Sequence, residues 1–169
     1  MHTSQLPPLT ARAEANALHD NDVVDHDIPT AAALVIWQSC DPQGVVFNAR
    51  YGDYVDLALT EYMRAAMGGY NELVHMGFET QVVRLLTEWK TPARFDDVLK
   101  ASVYPSHFGN TSFTLIFEFI NAGTNVLVAT AQATNVLVDA KEFTKQTIPA
   151  EIKSALQEGA VGKQINQAG

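Results

Sequence analysis

The pattern of apolar and polar positions changes once along the chain, from a helical period to a strand period. Residues 49–67 carry apolar side chains three and four positions apart, which predicts one long helix with a single apolar face. Gly68 and Gly69 are expected to end this helix. A short apolar segment at 32–37 precedes it and is predicted to form a buried strand.

After the long helix, apolar residues recur at every second position. This pattern predicts four strands, at 82–89, 97–104, 112–121 and 125–139. Pro149 is expected to start a last helix at 150–157. Because the connections between the strands are short, neighbouring strands are expected to be antiparallel. The sequence therefore predicts an α+β fold, with a five-stranded antiparallel sheet around one long central helix.

Length and charge place this core between two tails. The chain has 169 residues, enough for one domain, which we predict at 31–160, with a flexible C-terminal tail at 161–169. Residues 1–30 contain five acidic residues and one basic residue and are predicted to form a flexible acidic N-terminal arm. The net charge of −8 argues against nucleic acid and against a membrane surface as partners.

Several other classes of protein and site are disfavoured by particular residues. A single cysteine, Cys40, excludes an internal disulfide and a multi-cysteine zinc site, and it is expected to be a buried thiol rather than a nucleophile. His19 and His26 lie among aspartates, but we interpret this segment as a solvated arm and predict no metal site. No apolar run reaches the length of a membrane-spanning helix, and the N-terminus does not resemble a secretory signal. We therefore expect a cytoplasmic protein.

The segment from Ser39 to Tyr51, SCDPQGVVFNARY, resembles the D-x-x-G-(I/V/H)-V-x-x-x-x-Y motif of the 4-hydroxybenzoyl-CoA thioesterase-like acyl-CoA thioesterases. Further similarities lie at 95–99, 109–113 and 129–149, so that the resemblance covers residues 32–157. It implies the hotdog fold, hydrolysis of acyl-CoA to a free acid and CoA, and no cofactor apart from the CoA of the substrate. It also implies a homodimer or homotetramer with the site at the subunit interface, and acyl-CoA or another acyl thioester as the ligand.

Two positions carry the expected chemistry. Asp41 precedes Pro42 in a turn before the long helix, where its carboxylate either caps the turn or faces a cleft. The resemblance implies a catalytic role for Asp41, as nucleophile or as the general base that activates water. It also implies that the backbone N–H of Asn48 polarises the thioester carbonyl. The side chain of Asn48 is expected to cap the long helix.

The remaining candidate residues concern the substrate. The acyl group is expected to lie beside the long helix, lined by Tyr51, Tyr54, Val55 and Phe78. The CoA phosphates require cations, for which the candidates are Arg50, Lys90, Lys141 and Lys145; Arg50 facing solvent is an equal alternative. Glu61, in the middle of the helix, is expected to be solvated.

Two other functions stay open on the sequence. A hotdog hydratase or dehydratase acting on acyl thioesters would have a histidine near Asp41, whereas position 46 is valine. A non-catalytic acyl-thioester-binding protein also stays open, because Asn48 and Arg50 both depart from the family pattern.

Overall fold

A computed structural model describes residues 30–159 and 164–166 of the chain. The predicted arm, apart from Thr30, and the candidate metal ligands His19 and His26 lie outside the described residues. The helices and strands follow in the order β1 (Thr30–Leu34), α1 (Tyr51–Met67), α2 (Tyr70–His75), β2 (Phe78–Trp89), β3 (Val98–Phe108), β4 (Ser112–Asn121), β5 (Leu127–Asp139), α3 (Ala150–Glu158) and β6 (Gln164–Asn166).

The strands form one sheet in the order β2-β5-β4-β3-β1-β6. Strands β1 to β5 pair with one another only in antiparallel fashion, which confirms the predicted five-stranded antiparallel sheet. The short strand β6 adds a sixth member, parallel to β1. It lies in the segment predicted as a flexible C-terminal tail, whose other residues from 161 onward are outside the described part.

The core lies between one face of the sheet and helix α1. The apolar face of α1 and the inward side chains of β4 and β5 are buried there, among them Tyr51, Tyr62, Phe113, Phe117 and Leu137. Gly68 ends α1 in the left-handed conformation, with φ of 89°, and its N–H donates to the carbonyl of Arg64. The predicted long central helix and its predicted end are therefore confirmed.

Three differences from the expected elements have a physical cause. The predicted buried strand at 32–37 is wrong, because β1 ends at Leu34 and the chain leaves the sheet for the 3-10 turn at Trp37–Ser39, with Ile36 and Trp37 50% and 70% exposed. Strand β2 begins at Phe78 rather than at 82, because its first four residues pair with the end of β5 although they show no clear apolar alternation. Helix α2 was not predicted, because it is six residues long and buries only Leu73. A helix this short has no apolar period that a sequence could display.

Strand β2 occupies the edge of the sheet, and its apolar side chains are largely uncovered. Val82, Leu85 and Trp89 face the same side of the sheet as α1, because each lies directly opposite an inward residue of β5. They are nevertheless 53%, 45% and 52% exposed. Within the described part of the chain, this strand therefore presents both an unpaired backbone edge and an apolar surface to solvent.

Candidate active site

Asp41 lies in a tight turn that begins directly after a short 3-10 turn, Trp37–Ser39. The backbone N–H of Asp41 donates to the carbonyl of Val45 at 2.8 Å, and the N–H of Gly44 donates back to the carbonyl of Asp41 at 2.9 Å. In addition, Oδ1 of Asp41 accepts the N–H of Gln43 at 2.8 Å. One carboxylate oxygen thus caps the turn, as one of the two sequence interpretations expected, while Oδ2 accepts no hydrogen bond from the described residues.

This turn is fixed on two sides. Cys40 and Val46 form an antiparallel bridge across its base, and the N–H of Val46 donates at 2.9 Å to the carbonyl of Ala93, in the loop after β2. Gly44 adopts φ of 75°, a conformation that favours glycine. The turn therefore connects β1 to the end of β2, which places Asp41 at the edge of the sheet.

The entry into α1 lies beside the Asp41 turn. The N–H of Phe47 donates to the carbonyl of Ser39 at 2.9 Å, and residues Asn48–Arg50 then form a 3-10 turn that leads into the helix. The side chain of Asn48 makes no capping hydrogen bond, so the predicted side-chain cap is wrong. A 3-10 turn has taken the place of an ordinary cap, and its first N–H groups, including that of Asn48, have no acceptor within the turn.

A cleft of about 360 Å³ opens between these elements. Its walls come from the Asp41 turn, the start of α1 and the end of β2 with the loop that follows. The lining residues are Asp41, Val45, Val46, Phe47, Asn48, Tyr51, Trp89, Lys90, Thr91 and Pro92. The cleft therefore combines one carboxylate, one lysine and a helix start with mainly apolar walls.

Four of the ten sequence-predicted site residues line this cleft: Asp41, Asn48, Tyr51 and Lys90. Three others lie on helix α1 or directly before it. Tyr54 and Val55 are buried on the sheet-facing side of α1, whereas Arg50 is exposed and forms an ion pair with Asp53 at 3.2 Å.

The last three predicted residues are at the opposite end of β2. Phe78 begins that strand directly opposite Asp139, the last residue of β5. Lys141 and Lys145 are exposed on the loop that follows Asp139. Trp89 is eleven positions after Phe78, so these lysines lie about 35 Å along the strand from the cleft of the same subunit.

Two ionisable residues line the cleft together with Asp41, namely Tyr51 and Lys90. Burial raises the pKa of Tyr51 to about 12, with a smaller contribution from neighbouring Tyr54. The Tyr51 ring meets Trp89 edge to face, with 6.2 Å between ring centroids. Lys90 lies 3.5 Å from Glu88 and is half-exposed at the rim. Tyr51 is therefore a neutral wall of the cleft, and Lys90 is the cation at its rim.

The family follows from comparison with known proteins. The sequence model of the thioesterase-like superfamily matches residues 35–156, which contain the Asp41 turn, α1, the sheet from β2 to β5 and most of α3. The chain belongs to the thioesterase-like superfamily. Within the superfamily it is 27% identical over 118 residues to the acyl-CoA thioester hydrolase YbgC of Escherichia coli O6:H1, which covers 70% of this chain and 87% of that protein.

Solved structures show the same fold. A thioesterase superfamily protein from Jannaschia sp. CCS1 superposes with a TM-score of 0.73 at 21% identity, covering 78% of this chain and 92% of that one. The 1,4-dihydroxy-2-naphthoyl-CoA thioesterase from Synechocystis gives a TM-score of 0.67 at 20% identity, covering 75% and 93%. The predicted hotdog fold of this thioesterase-superfamily chain is therefore confirmed.

Two side chains, Cys40 and Glu61, differ in their burial from what the sequence predicted. Cys40 is half-buried and packs against the core, so it is less enclosed than the buried thiol expected from the sequence. Glu61 was expected to be solvated, and that prediction is wrong, because its side chain is 2% exposed and forms an ion pair with Arg64. Glu61 lies three residues after Ala58 on the same buried helix face, a spacing that was visible in the sequence.

Six of the ten lining residues of the cleft were not among the predicted site residues. Trp89, Thr91 and Pro92 join it only because β2 runs back to the Asp41 turn, a long-range contact without a local sequence signal. Within the described residues, no three His, Cys, Asp or Glu side chains are grouped so that they would hold a metal ion. In the same part of the chain, no helix has the length and apolar character needed to cross a bilayer.

Proposed function

We propose that this thioesterase-superfamily protein hydrolyses acyl-CoA to a free acid and CoA in the cleft that Asp41 lines. The observation that carries the proposal is the common location of the Asp41 carboxylate and the start of α1 in one largely apolar cleft. A carboxylate activates water or attacks the thioester, while free N–H groups at a helix start stabilise the negative charge that develops on the carbonyl oxygen. The name of its relative YbgC, an acyl-CoA thioester hydrolase, supports the same substrate class.

Asp41 serves this reaction in one of two ways. As a nucleophile, its free oxygen attacks the thioester carbon, the bond to sulfur breaks, and CoA leaves as a thiolate that takes up a proton. Water then hydrolyses the resulting mixed anhydride and restores the carboxylate. As a general base, Asp41 instead removes a proton from the water that attacks the thioester directly. In both routes the N–H of Asn48 holds the carbonyl oxygen.

The acyl group is proposed to lie against the apolar wall made by Val46, Phe47, Tyr51 and Trp89. Aromatic and medium-length acyl groups suit this wall, because the Tyr51 and Trp89 rings offer both a face and an edge. Tyr54 and Val55 support the wall from behind, on the buried side of α1.

The CoA phosphates are proposed to contact two subunits. If two copies pair their β2 edges in antiparallel fashion about a two-fold axis, the Phe78 end of one strand lies beside the Trp89 end of the other. Lys141 and Lys145 of the partner subunit then approach the cleft that contains Lys90. Phe78 of the partner subunit joins the same mouth.

The loop after Asp139 that carries Lys141 and Lys145, here called the lysine loop, has a defined shape that suits this role. Oδ1 of Asp139 accepts the N–H groups of Lys141 and Glu142, both at 2.9 Å, and these two bonds hold the pKa of Asp139 below its usual value. Lys145 forms a bridge back to Val138. The two lysines therefore leave a folded loop at fixed positions, which lowers the entropic cost of contacting a phosphate.

The proposal is tested by measuring thiol release from a panel of acyl-CoA esters with wild type, Asp41→Asn and Asp56→Asn. Asparagine keeps an oxygen that accepts the Gln43 N–H, so the turn is retained while the carboxylate is lost. We expect kcat to fall about 10²–10⁴-fold in Asp41→Asn. Asp56, an exposed carboxylate on α1, is the control and should leave kcat unchanged. Equal rates for wild type and Asp41→Asn would refute the role of Asp41.

The same assay separates the other functions. A hydratase or a binding protein leaves the thioester intact and releases no thiol. The nucleophile and base routes are separated by quenching a slow substrate during turnover, because only the nucleophilic route leaves an acyl group covalently attached to Asp41.

A further inference from the structure

The hydroxyl of Tyr54 is a buried polar group that the proposed mechanism does not use. Tyr54 is 8% exposed, and its hydroxyl oxygen has no full hydrogen bond to any described residue. Its ring packs edge-on against Tyr51, with 5.8 Å between centroids, and is tilted against Phe119. Because an unpaired buried hydroxyl costs free energy, phenylalanine would satisfy the packing at this position at least as well.

The surroundings of this hydroxyl point to the Asp41 turn. Burial raises the pKa of Tyr54, and the nearby hydroxyl of Ser39 partly opposes this rise by acting as a donor. Cys40 lies on the same side, close enough to influence the phenol electrostatically. The influence of Ser39 on the pKa of Tyr54 indicates that the two hydroxyls are near each other, while the buried Tyr54 hydroxyl forms no hydrogen bond with a described residue.

Ser39 is connected to both proposed catalytic groups. It precedes Asp41 by two residues, and Cys40 between them is bridged to Val46. The carbonyl of Ser39 accepts the N–H of Phe47, the residue directly before Asn48. Ser39 therefore contributes to the position of the Asp41 carboxylate relative to the Asn48 N–H.

We propose that Tyr54 is a positioning residue, whose hydroxyl engages the hydroxyl of Ser39 when substrate is bound and thereby fixes the distance between Asp41 and the N–H of Asn48. Hydrogen bonds that support catalysis are often long in the free enzyme and tighten in the substrate complex, and misplacement by about 1 Å costs up to about 100-fold in rate. This inference rests on the proposed function.

The test compares two variants that each remove one buried phenolic oxygen. Tyr54→Phe is expected to lower kcat on the order of tenfold, to change KM less than about twofold, and to leave the melting temperature unchanged or higher. Tyr62→Phe is the matched control, because the Tyr62 hydroxyl donates to the carbonyl of Leu156 on α3, remote from the cleft. That variant should have a lower melting temperature and the kcat of wild type.

A double-mutant cycle with Ser39→Ala identifies the route. If Tyr54 acts through Ser39, each single variant lowers kcat by a similar factor and the double variant lowers it no further. Wild-type kcat in Tyr54→Phe, or two losses that multiply in the double variant, would overturn the inference. These outcomes are distinct from a failure of the proposed function, which would appear as unchanged thiol release in Asp41→Asn.

Discussion

The uncovered edge strand β2 predicts a two-fold dimer that a single charge should break. Leu85 lies near the middle of β2 and faces the side of α1. We expect Leu85→Lys to convert the dimer into monomers, because an ammonium group would be buried twice in a symmetric interface. Leu34→Lys is a matched control, since Leu34 is 47% exposed against 45% for Leu85 but lies on β1, at the other side of the sheet.

The magnitude follows from the exposed side chains of β2. Burying the exposed half of a large apolar side chain is worth about 1 kcal/mol, and five such side chains on each copy give roughly 10 kcal/mol per dimer before the cost of association. These side chains are Val82, Val83, Leu85, Leu86 and Trp89. Leu85→Lys removes about 1 kcal/mol and adds about 2 kcal/mol or more of desolvation per copy. Over the two copies of the dimer these changes add up to about 6 kcal/mol, which raises the dissociation constant of the dimer roughly ten-thousandfold.

Sedimentation equilibrium over a range of protein concentrations measures this change. We expect wild type and Leu34→Lys to sediment as dimers or larger assemblies, and Leu85→Lys to sediment as a monomer. Thiol release should fall together with the dimer, because the lysine loop would no longer approach the cleft of the other subunit. A monomeric wild type, or a Leu85→Lys protein that assembles like wild type, would refute this reasoning.

Three further predictions concern stability. Asn135→Leu should raise the free energy of unfolding, measured in urea, by about 1–3 kcal/mol, because both side-chain amide atoms of Asn135 are buried without partners in the described part of the chain. The control Asn121→Leu should lower it, because Oδ1 of Asn121 accepts two backbone N–H groups. The opposite order of stabilities would count against this account. Gly44→Ala should lower the free energy of unfolding by about 1 kcal/mol and lower kcat, because φ at Gly44 is 75° and nothing lies near the added Cβ. The control Gly52→Ala, within α1, should raise the free energy of unfolding. Equal effects of the two variants would exclude backbone strain as the cause. Between pH 10 and about 12 the unfolded chain ionises Tyr51 before the folded protein does, so wild type should lose stability as the pH rises and Tyr51→Phe should lose less, as parallel urea titrations at pH 8 and pH 11 would show.

Much of the fold was predictable because local periods coincide with the final packing. Strand β4 was predicted with the bounds that it has, Ser112–Asn121, since it is rich in aromatic and β-branched residues and turn residues flank it on both sides. The prediction that Glu61 is solvated was wrong because it was based on the charge of the residue and not on its position along the helix. Its spacing from Ala58 placed it on the buried face, but its charge suggested solvent, and Arg64 on the next turn makes the burial tolerable.

Only the part of the site formed by the segment from Asp41 to Asn48 was predictable from the sequence. Asp41 and Asn48 lie within one continuous segment, so the resemblance of that segment was sufficient to select them. Trp89 and Lys90 enter the cleft through the register of β2 and the pairing of Val45 with Arg94, and no spacing along the sequence encodes that contact. The apolar character of β2 was visible as a strand signal, but its exposure was not, because exposure depends on how much of the sheet α1 covers.

Net charge is a poor guide to the ligand of this protein, because each surface charge acts over only about 8–10 Å in physiological salt. The chain carries −8 as a whole, yet a CoA phosphate at the mouth of the cleft would be governed by the few charges within that distance. Lys90 is one of them, and it is shared with Glu88 at 3.5 Å, so a phosphate must compete with that carboxylate. The lysine loop of a second subunit would shift this competition in favour of the phosphate. Dimerisation and CoA affinity are therefore expected to be coupled, and salt should raise KM for acyl-CoA while leaving kcat unchanged.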